Sequence, residues 1–299
     1  MRWVLTGCRG QLGHALAAQL AADPGSEVLA AVDLPELDVS DAAALERLFG
    51  GLRAAPDVVA NAAAFTHVDR CEREPEAAQR TNAEAPGLLA AACARRGARL
   101  VHVSTDYVFS GEATRPYREE DPPDPRSVYG RTKLEGERRV LAAAPIHLVV
   151  RTSWLFGRGR NFLAAILEQA RARRGGALCG PLRVVDDQRG RPTWAVDLAA
   201  AIRRLVDRRA SGLYHVAGGG IASWWDVARA CLDASGFSDL EVERIRTAEL
   251  GLPAPRPAWS VLDCSKAEAL GVRTRDWHEA VRAYLESEDS PRGAEAAAS

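Results

Sequence analysis

Tyr129 and Lys133 are the residues whose types and spacing most directly suggest chemistry. Residues four apart share one face of a helix, so the phenol and the amine can lie side by side. In a cofactor cleft the ammonium would stabilise the phenolate by roughly 4 kcal/mol, at a separation of about 4 Å and an effective dielectric of about 20. That stabilisation corresponds to about three pKa units, which brings a tyrosine from about 10 to near neutrality. The pair is therefore predicted to exchange a proton with a substrate.

A tyrosine and a lysine at this spacing often occur by chance, but two observations favour a function here. Lys133 is one of only two lysines among 39 basic residues, the other being Lys266. A predicted strand ends at Ser104 and Thr105, and Thr105 lies 24 residues before Tyr129. A hydroxyl at the carboxyl end of a parallel strand points into the ligand crevice of such a fold. Thr105 therefore joins the pair as a candidate catalytic residue.

The segment 7–13 reads Gly-Cys-Arg-Gly-Gln-Leu-Gly and lies between a predicted strand and a predicted helix. Glycines at such a turn let the backbone approach a pyrophosphate, which then lies at the positive N-terminus of the helix. The pattern alone also fits an ordinary turn between a strand and a helix. The context favours a dinucleotide site, and the residues predicted to bind the cofactor in this loop are Gly7, Gly10, Gln11, Leu12 and Gly13.

Asp33 ends the second predicted strand, twenty residues after Gly13. An acid at that position usually binds the adenosine ribose hydroxyls. Its carboxylate repels a 2'-phosphate and so favours NADH over NADPH, while Arg9 partly offsets this preference. Asp38 and Val39 are predicted to contact the adenine, although capping of the following helix would explain Asp38 equally well.

Small residues follow the third predicted strand, in the sequence Asn-Ala-Ala-Ala at 61–64. Small side chains there let the backbone lie against the nicotinamide half of a cofactor. Ala63, Ala64 and Thr66 are therefore predicted to contact it. Tight packing of a helix on a strand would explain the alanines equally well if the segment stood alone.

Strand-like and helix-like patterns alternate around these residues. Strands are predicted at 2–6, 27–32, 57–61, 99–104 and 147–151, and helices at 11–22, 42–52, 75–96 and 128–143. This alternation predicts an α/β fold, a Rossmann-type doubly wound parallel sheet, over residues 1–150. A smaller mixed α/β substrate-binding domain is predicted over 151–287, with some elements returning to the sheet. It would contain helices at 161–174, 198–209, 223–234 and 277–287 and strands at 182–185 and 213–217. A disordered tail is predicted over 288–299.

The composition is that of a globular protein and disfavours several classes of function. The chain has 299 residues, 47% of them hydrophobic, and a formal net charge of -1, so neither nucleic acid nor a membrane is an expected partner. No apolar run approaches the ~20 residues of a membrane span, and the first residues do not resemble a secretory signal. The six cysteines include no CxxC pair, which argues against a zinc site or disulfides and predicts a cytoplasmic protein.

Together these motifs resemble those of the extended short-chain dehydrogenase/reductases, and within them the dTDP-4-dehydrorhamnose reductase family of deoxysugar 4-ketoreductases. The resemblance extends from residue 1 to about residue 285. Its most specific segments are Ser-Thr-Asp-Tyr-Val-Phe at 104–109, Val-Tyr-Gly-Arg-Thr-Lys at 128–133 and Arg-Thr-Ser-Trp at 151–154.

The resemblance implies that NADH or NADPH delivers hydride to C4 of a dTDP-linked 4-keto-6-deoxyhexose, with dTDP-4-dehydrorhamnose as the first expected substrate. Tyr129 would donate the proton, Lys133 would lower its pKa and hold the nicotinamide ribose, and Thr105 would bind the carbonyl oxygen or the tyrosine. The substrate residues implied are Val68, Thr105, Asp106, Tyr107 and Trp154 at the sugar and Asn161 and Arg256 at the diphosphate. The family also suggests a homodimer. Some relatives use Mg²⁺, but no required metal is predicted here.

Phe65, Arg189 and Trp259 depart from the usual family pattern, in segments expected to meet the substrate. They leave open a paralogous 4-ketoreductase of a secondary-metabolite sugar, of the dihydrostreptose type. An epimerase or dehydratase on the same fold is a second alternative. It is disfavoured because Thr105 is followed by one acid, where dehydratases usually carry an acidic pair.

A third alternative is a non-catalytic regulatory subunit that binds NAD(P), as the beta subunit of methionine adenosyltransferase is within this family. Loss of the tyrosine and lysine pair would favour it, and both residues are present. Trp224 and Trp225, at a predicted helix start, are expected to pack in the interior rather than to hold a sugar.

Overall fold

Apolar strands and amphipathic helices alternate through the computed structural model, which describes residues 1–291. The strands are β1 (Arg2–Thr6), β2 (Glu27–Val32), β3 (Val58–Asn61), β4 (Arg99–Thr105), β5 (Leu148–Thr152), β6 (Leu155–Phe156), β7 (Leu182–Val185), β8 (Thr193–Trp194), β9 (Gly212–His215) and β10 (Val242–Ile245). The α-helices are α1 (Gln11–Ala21), α2 (Ala42–Gly50), α3 (Val68–Arg73), α4 (Pro75–Gln79), α5 (Ala85–Arg95), α6 (Val128–Ala143), α7 (Phe162–Arg174), α8 (Ala195–Asp207), α9 (Trp224–Ala234), α10 (Ser265–Glu268) and α11 (Trp277–Glu286). A π-helical turn (Arg80–Glu84) joins α4 to α5, and short 3-10 turns follow β4 and β10.

Six strands form one parallel sheet in the order β2-β1-β3-β4-β5-β9. The chain moves outward from β1 to β2 and then returns to β3 on the other side of β1. Ligands bind beyond the carboxyl ends of the strands at such a switch point. The predicted doubly wound fold is confirmed, and β9, from the second half of the chain, completes the sheet.

Helices cover both faces of this sheet, as the side chains of β1 show. Trp3 and Leu5 are buried in a cluster with Leu198 of α8 and other residues of α1 and α8. Val4, between them, is buried on the opposite face with residues of α2 and α5. Alternate side chains of a strand point to opposite faces, so a sheet covered on both sides needs continuous apolar strands.

The second half adds a separate apolar cluster beside the sheet. Helices α7, α9 and α11 pack together there against β7, with Leu167, Leu232 and Val281 among the buried residues. Two small parallel pairs, β7 with β10 and β6 with β8, complete this part. The strand β7 was predicted from the sequence, whereas β6, β8, β10 and the short helices α3 and α10 were not.

Two other expectations differ from the structure. The single helix expected over 75–96 contains the π-helical turn, where the Asn82 side chain accepts a hydrogen bond from Phe65 N at 2.8 Å. Of the predicted disordered tail, 288–291 are described, and Ser290 is buried with its hydroxyl donating to Leu285 O at 3.1 Å. Residues 292–299 lie outside the described residues.

Within residues 1–291, every helix is too short or too polar to cross a membrane.

Candidate active site

The N-terminus of α6 places Tyr129 beside the end of β4. Ser127 caps the helix, its hydroxyl oxygen accepting from Gly130 N at 3.1 Å. A Cβ on Gly130 would lie 2.1 Å from the carbonyl oxygen of Tyr107, so only glycine permits this close approach. The glycine inside the Tyr-x-x-x-Lys motif thus brings the helix onto the segment that carries Thr105.

A buried ion pair fixes the same helix against β5. Glu137 lies one turn beyond Lys133, and its carboxylate accepts two hydrogen bonds from Arg151, at 2.9 and 2.7 Å. The two side chains are 2% and 3% exposed. A bidentate pair of this kind fixes orientation as well as distance. It therefore holds the face of α6 that carries Tyr129 and Lys133 toward the sheet.

A cleft with a volume of ≈ 640 Å³ lies beyond the carboxyl ends of β1, β3, β4 and β5. It brings together residues predicted from segments far apart in the chain. Those lining it are Gly10, Gln11, Leu12, Gly13, Ala64, Thr66, Val68, Thr105, Asp106, Tyr107, Tyr129, Lys133 and Trp154. The three predicted catalytic residues therefore share one cleft with the glycine loop.

A smaller cavity of ≈ 210 Å³ adjoins the same loop at the end of β2. It is lined by the remaining predicted cofactor residues, which are Gly7, Asp33, Asp38, Val39 and Ala63, together with Gly10 and Ala64. Gly10 and Ala64 line both spaces, so the two cavities adjoin at the glycine loop.

The glycine loop has the form that a dinucleotide requires. Gly7 has a φ of 73°, and a Cβ on Gly13 would lie 2.0 Å from Gly7 O, so these two glycines serve the turn itself. A Cβ on Gly10 would meet only Gly7 O, at 3.4 Å, so no close packing within the chain demands glycine there. Gly10 also caps α1 without a side-chain hydrogen bond. The backbone N–H groups of the first turn are thus free to face a phosphate.

Asp33 is held in place by the backbone. Its carboxylate accepts hydrogen bonds from Arg9 N at 2.9 Å and from Leu34 N at 2.8 Å. The Arg9 guanidinium pairs with Glu36 and donates to Leu34 O, so it already has an acidic partner. Asp38 accepts from Ser40 N at 2.8 Å in a turn before α2. The predicted alternative, capping of that helix, is carried out by the neighbouring Asp41.

Four buried polar atoms around the cleft lack a hydrogen-bond partner among the described residues. They are Gln11 Oε1, Ser104 Oγ, Asp106 Oδ2 and Thr152 Oγ1. Buried polar groups in folded proteins are nearly always paired. A polar ligand that contacts several walls of the cleft would satisfy them, so the residues present fit a nucleotide cofactor and a sugar.

Burial dominates the electrostatics of the catalytic residues. It raises the pKa of Tyr129, while a hydrogen bond with the Thr105 side chain acts in the opposite direction. Burial lowers the pKa of Lys133 to about 8, with Glu137 opposing the shift. Lys133 Nζ donates to Val103 O at 2.6 Å. The expectation that Lys133 brings the pKa of Tyr129 near neutrality is therefore wrong for this arrangement, because burial disfavours the phenolate and the charge of Asp106 raises the pKa of Tyr129 further.

Asp106 is a buried carboxyl group beside Thr105. It is 2% exposed, and its Oδ1 accepts from Thr105 Oγ1 at 2.9 Å. Burial raises its pKa to about 6. Folding therefore favours the protonated form of Asp106 relative to the unfolded chain, and ionisation of the group lowers stability as the pH rises from about 4 through about 6.

Replacement of Asp106 by asparagine should stabilise the protein at pH 8, by up to about 3 kcal/mol. A folded pKa above the unfolded value means that the stabilising contribution of the group is complete near pH 4 and is lost as the pH rises through about 6. The gain of Asp106→Asn over the parent should accordingly vanish near pH 4. Urea denaturation at both pH values measures it, and equal gains at pH 4 and pH 8 would contradict the assignment.

Trp154 forms one wall of the cleft in a constrained position. Its backbone is left-handed, with φ 48°, and its indole covers Gly190, where a Cβ would lie 2.3 Å from the ring. The indole of Trp224 stacks on it, with ring centroids 3.7 Å apart and an interplanar angle of 4°. Trp224 also lines the cleft. Trp224 therefore packs against another side chain, as expected, and is also exposed to the cleft.

Asn161 and Arg256 are not among the residues that line the cleft. Asn161 caps α7, and its amide nitrogen donates to Gly159 O and to the Tyr284 hydroxyl. Arg256 pairs with Asp69 at 2.7 Å, and its side chain is 14% exposed. Both groups are thus engaged within the chain.

Arg9, Arg158 and Arg160 line the cleft instead, with no role foreseen from the sequence for the last two. The sequence signal that could have identified Arg158 and Arg160 is the Gly-Arg-Gly-Arg segment at 157–160, which is typical of a loop with closely spaced positive charges. Guanidinium groups there could bind a diphosphate.

The three departures from the family pattern do not line the cleft either. Phe65 lies under Arg70, whose guanidinium is 5.1 Å from its ring centre. Arg189 and Trp259 pair as a β-bridge, and Trp259 Nε1 donates to Arg115 O. The expectation that these residues meet the substrate is not supported by their positions.

Over residues 1–291, no three His, Cys, Asp or Glu side chains lie close enough to share a metal ion.

The chain is similar to known proteins over nearly all of its length. The profile of the family described as RmlD substrate binding domain matches residues 1–290. A probable dTDP-4,6-dihydroxy-2-methyloxan-3-one 4-ketoreductase of Streptomyces antibioticus is 43% identical, over 94% of each chain. The dTDP-4-dehydrorhamnose reductase of Mycolicibacterium smegmatis is 42% identical, over 94% of this chain and 84% of the other. The crystal structure of the Bacillus anthracis dTDP-4-dehydrorhamnose reductase in complex with NADP has a TM-score of 0.88 at 31% identity, over 96% of this chain and 99% of that one.

Proposed function

This chain belongs to the RmlD substrate binding domain family and is an oxidoreductase, and on that premise we propose that it reduces the C4 keto group of a dTDP-4-keto-6-deoxyhexose. The substrate favoured is dTDP-4-dehydrorhamnose, the product dTDP-L-rhamnose, and the reductant NADH or NADPH. The observation that carries the proposal is that Thr105, Tyr129 and Lys133 line the same cleft as the glycine loop.

The loop 7–13 and the N-terminus of α1 bind the pyrophosphate of the cofactor, and Asp33 binds the adenosine ribose. When bound, the reduced nicotinamide supplies the hydride. Tyr129 keeps its proton at neutral pH because burial raises its pKa, and it gives that proton to the substrate oxygen as negative charge develops there. Thr105, hydrogen-bonded to Asp106 and to Tyr129, orients the phenol.

The substrate is held at two places. The stacked pair of Trp154 and Trp224 offers a flat apolar wall to the sugar, and Asp106 and Tyr107 line the same cleft. Arg158 and Arg160 are exposed at the mouth and provide positive charge for the diphosphate.

Mixing the purified protein with NADH or NADPH and dTDP-4-dehydrorhamnose tests the proposal. We expect the cofactor to be oxidised in a stoichiometric amount, which is monitored by its absorbance. The product, identified by mass spectrometry and NMR, should be dTDP-L-rhamnose. Net oxidation also separates a reductase from an epimerase or dehydratase, which recycles its cofactor. A reduced cofactor that binds but is not oxidised by any dTDP-4-keto sugar would overturn the proposal.

A second candidate is reduction of a different dTDP-linked keto sugar. It is favoured by the 43% identity to the probable 4-ketoreductase of Streptomyces antibioticus. Oxidation of the cofactor with another dTDP-4-keto sugar, but not with dTDP-4-dehydrorhamnose, would select this candidate.

Replacement of Asp33 by alanine should shift cofactor preference toward NADPH, by about tenfold in the ratio of kcat/KM values. The change removes a carboxylate that repels the 2'-phosphate. Asp41→Asn, an acid that caps α2, is the matched control and should leave the ratio unchanged. An unchanged ratio in Asp33→Ala would refute the placement of the ribose.

A further inference from the structure

A row of four buried polar side chains crosses the sheet beneath the cleft and ends at Lys133. Thr6 Oγ1 donates to Asn61 Oδ1 at 2.7 Å, Asn61 Nδ2 lies 3.2 Å from His102 Nδ1, and His102 Nε2 lies 3.4 Å from Lys133 Nζ. The strand register builds this row, because Thr6 pairs with Asn61 and Asn61 with His102 on neighbouring strands. None of the four residues is more than 2% exposed.

The direction of each hydrogen bond in this row follows from the backbone. Ala63 N, which can only donate, lies 3.2 Å from Asn61 Oδ1. The oxygen of the amide therefore faces Ala63, and its nitrogen faces His102. An amide nitrogen only donates, so His102 Nδ1 must accept, and the proton of the neutral ring is on Nε2.

This arrangement aims an N–H group at Lys133. A neutral lysine amine has a lone pair that can accept the hydrogen bond while its own N–H donates to Val103 O. An ammonium has no lone pair, so its contact with the ring would join two donors. If the ring proton moved to Nδ1, the two donors would instead meet at Asn61.

We propose that Asn61 and His102 couple the charge of Lys133 to the tautomer of His102, so that the row satisfies every hydrogen bond only when Lys133 is neutral. Protonation of Lys133 loses one hydrogen bond whichever tautomer the ring adopts. A doubly protonated ring does not arise instead, because burial and the adjacent lysine keep the pKa of His102 well below its usual range.

Other titratable groups surround Lys133 and must be separated from this effect. Glu137, on the same helix, raises the pKa of Lys133, and Arg151 from β5 pairs with that carboxylate. Tyr129 lies one turn earlier on the same helix, and Asp106 follows β4 and acts on Tyr129. A test of the proposal must therefore change the hydrogen bonds of His102 without changing any charge.

The consequence for catalysis rests on the proposed function. After Tyr129 has given its proton to the substrate oxygen, a proton can pass from Lys133 to the phenolate: a lysine N–H bond breaks and a tyrosine O–H bond forms. The amine that remains accepts the hydrogen bond of His102 Nε2–H. His102 is thus a positioning residue that makes the proton of Lys133 easier to release.

Nuclear magnetic resonance can test the coupling without cofactor or substrate, so its failure is distinct from failure of the proposed function. The chain has two lysines and six histidines, and the signals of Lys133 and His102 are assigned with Lys133→Met and His102→Gln. We expect Lys133 to titrate near pH 8, and His102 to carry its proton on Nε2 above that pH, as read from the ring nitrogen shifts.

The decisive variant is Asn61→Ala, which frees His102 Nδ1 to carry the proton and Nε2 to accept from the ammonium. We expect the Nδ1–H tautomer and a rise of about one unit in the pKa of Lys133. Thr6→Val is the matched control, since Ala63 still orients Asn61, and it should change neither quantity. A Lys133 pKa that stays or falls in Asn61→Ala would overturn the proposal. If Asn61→Ala does not fold, an Nδ1–H tautomer in the parent above pH 8 would overturn it alone.

Discussion

Replacing Tyr129 with phenylalanine should lower kcat for reduction of the keto sugar by about 10²–10⁴-fold. The phenol is the proposed proton donor, and phenylalanine has no hydroxyl proton to give. The ring itself packs edge-on against Tyr107, with centroids 5.5 Å apart, and phenylalanine keeps that contact. The affinity for NADH should therefore stay within about twofold of the parent.

Single-turnover cofactor oxidation and titration of NADH binding measure the two quantities separately. Tyr214→Phe is the matched control, because Tyr214 is buried in the core with the Lys266 amine 4.4 Å from its ring centre. It should leave both quantities unchanged. Normal turnover in a folded Tyr129→Phe protein would remove Tyr129 from its proposed role.

Replacing Lys133 with arginine should be nearly as severe, with a loss in kcat/KM of about 10²–10³-fold. Lys133 is 2% exposed, and its amine fits between the carbonyl of Val103 and the ring of His102. A planar guanidinium with five donors cannot satisfy them all at this place, and an unsatisfied buried donor is costly. Although Lys133→Arg keeps the positive charge, it should therefore lose most of the activity.

Lys266→Arg is the control for a lysine to arginine change in this chain, since Lys266 is exposed, donates to Leu213 O and does not line the cleft. Thermal unfolding of both variants shows whether the Lys133 variant is folded. A folded Lys133→Arg protein with near-normal kcat/KM would show that neither the shape nor the proton of the lysine is needed.

The sheet and its order of elements were predictable because their signals are local. The apolar runs at 2–6, 27–32 and 182–185 match the observed strands, and the helix 128–143 has the predicted bounds. The strands β6 and β8 have two residues each, too few for any periodicity. The π-helical turn could not be predicted from the sequence either. It contains Asn82, whose carbonyl oxygen approaches Gly136 of another helix, and the sequence does not show such a contact.

The places of Gly7, Thr105 and Tyr129 around the cavities could be predicted from the sequence, because the spacing within their motifs fixes the local geometry. Spacing is a poor guide where the partner of a side chain comes from elsewhere in the fold. Asn161 was assigned to the substrate, yet it caps its own helix and contacts Tyr284. The pKa of Tyr129 was expected to fall, because the spacing shows the nearby amine but not the extent of burial.

The most direct test of the reaction uses NADH that carries deuterium on the transferred position of the nicotinamide. Proton and deuterium NMR of the product with dTDP-4-dehydrorhamnose then locate the label. Hydride transfer to the C4 carbonyl, with the proton supplied by Tyr129, predicts deuterium at C4 of the sugar alone. The oxidised cofactor that is recovered should carry no deuterium at the position from which hydride was transferred. Deuterium retained on the cofactor, or found at another carbon of the sugar, would contradict it.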